Sequence, residues 1–64
     1  MDIMKVSNEE AAEIIQTGKP HGLFFTIDHG RIVGINNSHN DLWVEDFNRY
    51  TECTEWLKGR QLSK

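Results

Sequence analysis

A single cysteine, Cys53, in a chain of 64 residues excludes an intramolecular disulfide framework and fits a reducing compartment better than secretion. No run approaches the roughly 18 consecutive apolar residues of a membrane span. The start, Met1-Asp2-Ile3-Met4-Lys5, lacks the apolar core of a signal peptide, so the expected setting is a cytoplasm, without membrane association. Basic residues are few. Seven Lys and Arg against ten Asp and Glu leave a net charge of −3, which argues against recognition of nucleic acid through its phosphates. Gly18, Gly22, Gly30 and Gly34 are scattered through turns and a strand and form neither a phosphate loop nor a dinucleotide fingerprint. His21, His29 and His39, even joined by Cys53 or Asp41, match no zinc spacing; neither metal nor cofactor is expected. The length is that of one small domain, residues 1–64 with an ordered core over about 7–59, and leaves little room for a deep pocket.

What is present is order concentrated between Gly22 and Ile35. Two β-branched and aromatic runs flank Asp28-His29-Gly30, a hairpin signal, because Gly30 accepts positive φ without a Cβ penalty. Two registers compete. A two-residue loop at His29-Gly30 pairs Leu23 with Asn36 and Phe25 with Gly34, mixing polar and apolar positions. A three-residue loop with a glycine bulge sets Leu23 against Ile35 and Phe25 against Val33, leaving Phe24, Thr26, Ile32 and Gly34 on the other side. One coherent apolar face favours the second register, with Phe24 covering Gly34.

Ser7-Asn8-Glu9-Glu10 fits a capping box, and the narrow stripe Ala11, Ala12, Ile14, Ile15 predicts a helix over 8–17, stopped by Gly18 and Lys19-Pro20. The six residues before it, with Ile3 and Val6, read as a short arm or a frayed end. Strands are expected from about His21 to Ile27 and from Arg31 to Asn36, then a polar turn from Asn37 to Asp41. A third strand follows over Leu42–Asp46, antiparallel to the second. Asn48 reads as the cap of a last helix carrying Tyr50, Cys53, Trp56 and Leu57 inward and ending near Gly59. The expected fold is α+β: helix, three-stranded antiparallel meander, helix, with both helices on the sheet face built from Leu23, Phe25, Val33 and Ile35.

No catalytic constellation emerges, and no enzyme activity is expected. Cys53 falls on the apolar stripe of the last helix, where a cysteine acts as a small hydrophobe. Glu45 and Asp46 are adjacent on a strand and point to opposite faces, so they cannot share an acid/base site; Asp41 with Glu45 reads as solvated charge. If both helices cover one face, the other exposes Phe24, Ile32 and Trp43 with Glu45 beside them, a candidate binding patch. The competing arrangement has the first helix or the N-terminal arm covering that face.

The segments Gly22-Leu23-Phe24, Val33-Gly34-Ile35-Asn36-Asn37, Asp41-Leu42-Trp43-Val44-Glu45-Asp46-Phe47 and Cys53 with Trp56-Leu57 resemble a group of short uncharacterised phage and prophage proteins. These read approximately G-L-F, V-G-I-D-N, G-D-A-W-x-E-x-F and C-L-x-W-L. The similarity covers residues 9–58 and departs at Asn36, Asn40 and Thr54, where Asp, Gly and Leu are expected. The resemblance implies a genome setting, the cytoplasm of a host bacterium, and no activity. Together these features favour a non-enzymatic module that binds a host or phage protein, with a weak face-to-face homodimer through the same patch as a further expectation. The alternative is a small-ligand or nucleotide-binding protein with its site at an oligomer interface, using the polar loop Asn36, Asn37, Ser38, His39, Asn40 and Asp41. Direct DNA binding ranks third.

Overall fold

Ser7 starts the first helix as the sequence predicts. Its hydroxyl accepts from the Glu10 amide at 3.0 Å while a Glu10 carboxylate oxygen accepts from the Ser7 amide at 2.9 Å, satisfying two otherwise orphaned donors. The helix, α1, spans Asn8–Thr17 and ends at Gly18 in the left-handed conformation. In this computed structural model, which describes residues 2–38 and 41–59, the remaining elements are β1 (Ile3–Lys5), β2 (Gly22–Asp28), β3 (Arg31–Asn37), β4 (Trp43–Phe47) and α2 (Tyr50–Leu57). The fold is α+β, two helices on a four-stranded mixed sheet of order β1-β2-β3-β4.

The antiparallel meander β2-β3-β4 is present, and a fourth strand extends it. The segment read as an arm or a frayed end is β1, which pairs parallel with β2, Ile3 beside Leu23 and Lys5 beside Phe25. Its pairing is prolonged by the Val6 amide, which donates to the Phe25 carbonyl at 2.9 Å. Parallel neighbours need a crossover, and α1 supplies it.

The hairpin takes the register that apolar coherence disfavoured. Leu23 pairs with Asn36, Phe25 with Gly34 and Asp28 with Arg31, closing on His29-Gly30 with φ of 53° and 78°. Two positive φ values in a two-residue loop match the twist of the flanking strands, which explains why this turn wins over a bulge. A second argument also weighs against the three-residue loop: its single apolar face is an advantage only where one sheet face is buried.

Both faces are buried, and the helices lie on opposite faces, not on one. Adjacent strand residues point to opposite sides. Ala11 and Ile14 of α1 pack with Phe24 and Ile35, flanked by Val6 and Leu42. Cys53 and Leu57 of α2 pack with Leu23, flanked by Ile3, Phe25, Ile32, Phe47 and Trp56. Leu23-Phe24-Phe25 thus serves two cores, and each buried aromatic or aliphatic side chain contributes on the order of 1.5–3 kcal/mol.

Gly34 lets α2 approach. A Cβ there would lie 2.9 Å from Cys53 Sγ and 3.1 Å from the Trp56 ring, so the helix rests on bare backbone; Phe24, expected to cover this glycine, lies on the other face. Two buried polar groups fix α1 on its own side. Thr26 Oγ1 donates to Asn8 Oδ1 at 2.6 Å, and Asn37 Nδ2 donates to the carbonyls of Gly18 at 2.7 Å and Pro20 at 3.1 Å. Asn48 does not cap α2. The cap position is Arg49, and Asn48 Oδ1 instead accepts from Arg31, whose Nε also holds Asp46 at 2.9 Å.

Candidate functional site

β4 is the last strand of the meander, so its outer edge has no neighbouring strand among the described residues. Its register places Trp43 beside Asn36, Val44 beside Ile35 and Glu45 beside Gly34. Trp43 and Glu45 therefore share the α2 face, while Val44 and Asp46 share the α1 face. Trp43 is 61% exposed and Val44 43% exposed. At the other end of the strand the Phe47 ring packs on Trp56 with centroids 5.5 Å apart, and Phe25 meets the Tyr50 ring edge-on at 5.1 Å. Trp43 and Phe47 lie four residue steps apart along the strand, about 13 Å.

The predicted patch of Phe24, Ile32 and Trp43 does not form. Phe24 is 5% exposed beneath α1, on the opposite face from the other two. Ile32 packs within the α2 cluster. The arrangement in which the first helix covers Phe24 is the one observed, and a face-to-face dimer through all three residues loses its geometric basis. What survives is Trp43 with Glu45 beside it, and Val44 adds a second exposed apolar residue that the sequence reading did not single out. Its signal was available, since the last strand of a meander has an unpaired edge.

The polar loop divides between structural tasks and exposure. Asn36 Oδ1 accepts from the Ser38 amide at 3.2 Å and from its hydroxyl at 2.7 Å. Asn37 is buried and tied to the turn after α1. Asp41 is exposed just before β4, and His39 and Asn40 lie outside the described residues.

His21 and His29 are exposed, His29 with its Nδ1 2.9 Å from Asp28. Among the described residues no group of three or more His, Cys, Asp and Glu side chains could hold a metal ion. Cys53 is fully buried against Gly34, and burial pushes its thiol pKa upward, which holds it as the protonated, unreactive form. Asp46 is engaged by Arg31 on the face opposite Glu45.

A concavity of about 280 Å³ opens between α1 and β1. Met4, Val6, Ile14 and Phe24 line its apolar side, with Glu13 and Lys19 among the polar lining residues. Sequence reasoning had no access to it because β1 is three residues long and shows no periodicity.

Among the described residues no helix is long and apolar enough to cross a membrane. No family model, curated protein or solved structure matches the chain.

Proposed function

We propose that this chain is a non-enzymatic protein-interaction module, of the phage or prophage kind its motifs resemble, acting on a host or phage protein. The observation that carries the proposal is Trp43, a large aromatic left 61% exposed on an open sheet edge. Aromatic side chains bury a large area at small entropic cost and dominate binding energies where they anchor an interface. The Cys53 thiol, sealed against Gly34, supports the non-enzymatic side of the reading. The test is capture from bacterial lysate with immobilised wild type and Trp43→Ala. A partner retained by the wild type and lost on the substitution is the expected result. Equal retention by both would remove Trp43 from the site.

A small-ligand reading has one observation in its favour, the groove between α1 and β1, and not the polar loop between β3 and β4. Its volume is slightly below the range of about 300–1,000 Å³ usual for ligand pockets. A rise in melting temperature with a metabolite or nucleotide, abolished by Ile14→Trp, would support it. The absence of any such rise across a nucleotide and metabolite panel would count against it.

A further inference from the structure

We infer that the β4 edge takes an extended partner segment as a fifth strand, and that this segment alternates basic with β-branched apolar residues. The inference rests on the interaction reading above and specifies its partner. Three features of the edge lead to it. Among the described residues the backbone of β4 has a neighbouring strand on one side only, which leaves its outer edge open to pairing, the geometry of strand addition. Along the chain, Asp41, Trp43 and Glu45 occur at alternate positions, acidic, aromatic, acidic, and all three are exposed. Neither Asp41 nor Glu45 has an ion-pair partner among the described residues, whereas Asp46, on the other face, is already held by Arg31.

Complementarity follows residue by residue. An added strand places side chains directly opposite those of β4 on each face. Opposite Glu45, and near Asp41, a lysine or arginine meets an unpaired carboxylate; opposite Trp43 an arginine can lie over the indole ring. On the other face the position opposite Val44 calls for valine or isoleucine, which continues the apolar row from Ile35. A second copy of this chain is disfavoured as the occupant. The antiparallel register that pairs all five residues of β4 with themselves sets the two Glu45 carboxylates against each other, and like charges directly opposite are destabilising.

The probes are two synthetic peptides, acetyl-Arg-Val-Arg-Val-Arg-amide and acetyl-Glu-Val-Glu-Val-Glu-amide, each titrated into the ¹⁵N-labelled chain. The basic peptide should shift the backbone amides of Trp43–Phe47 and slow their hydrogen exchange, while the acidic one should not bind. Glu45→Lys, an exposed substitution that leaves the core intact, should weaken the basic peptide about fivefold and confer binding of the acidic one. Equal binding of both peptides, shifts away from β4, or unchanged affinity in Glu45→Lys would each overturn the inference. The parent reading fails separately. A lysate protein lost with Trp43→Ala but kept by Glu45→Lys, with no protection of β4 amides, would retain the interaction module and end strand addition. Retention by Trp43→Ala as well would end both.

Discussion

Replacing Gly34 by alanine tests how closely α2 is seated on the sheet. Gly34 lies in β3 without a positive φ, so its backbone conformation suits any residue. On an open strand, Gly→Ala would then stabilise by about 0.5–1 kcal/mol by restricting the unfolded chain. Here the new methyl would lie 2.9 Å from Cys53 Sγ and 3.1 and 3.2 Å from two carbons of the Trp56 ring. Both neighbours are packed, so the helix or the ring must shift, and overpacking of this kind costs roughly 1–3 kcal/mol. The steric term exceeds the entropic one, and a net loss of about 1–2 kcal/mol is expected. For a chain of this size total stability is about 3–10 kcal/mol, so the loss is a large fraction, visible as a fall of some 4–16 °C in melting temperature. The assay is urea unfolding followed by Trp fluorescence, run alongside Cys53→Ala and the double variant. Removing the sulfur opens room for the methyl, so the double variant should be more stable than the sum of the singles, with a coupling of about 1 kcal/mol. If Gly34→Ala equals or exceeds the wild type in stability, α2 does not sit on Gly34 as described.

Three further expectations concern the core and its chemistry. Phe24→Ala should cost about 3–5 kcal/mol and unfold much of the population, since it empties the core beneath α1; a near-wild-type urea midpoint would refute that burial. Asn37→Ala should cost about 1–3 kcal/mol, because the Gly18 and Pro20 carbonyls each lose a buried donor; an unchanged midpoint would show that this clasp is idle. Burial raises the Cys53 thiol pKa above its ordinary value of 9.0, so around that pH the folded state keeps a proton that the unfolded state releases. Its contribution to stability is full below pH 9.0 and declines as pH rises beyond it, and Cys53→Ala should abolish that part of the decline in urea midpoints measured from pH 8 to 10.

Local signals in the sequence reached the two helices and the three strands of the meander. The capping box at Ser7 and the stop at Gly18 place α1 at its observed bounds, because caps depend on neighbouring residues alone. β1 was illegible as a strand: three residues carry no period, and its pairing with Leu23-Phe24-Phe25 depends on a crossover over α1. The hairpin register went the other way because scoring one apolar face presumes one-sided burial. The run Leu23-Phe24-Phe25, apolar at consecutive positions, is the pattern of a strand covered on both sides. That same presumption assembled Phe24, Ile32 and Trp43 into one patch. Trp43 entered that patch through the same presumption; in the structure it is exposed because its partner across the sheet is Asn36 and its neighbour on the same face is Glu45, neither of which offers an apolar seat.

The central claim is that Trp43 serves binding and not folding, and one paired measurement on Trp43→Ala tests it most directly. The variant's urea midpoint and its retention of the captured partner are determined side by side with the wild type. Surface substitutions cost little, so stability should fall by less than about 1 kcal/mol while the partner is lost. A variant that unfolds, or that is stable and still holds the partner, would contradict the account.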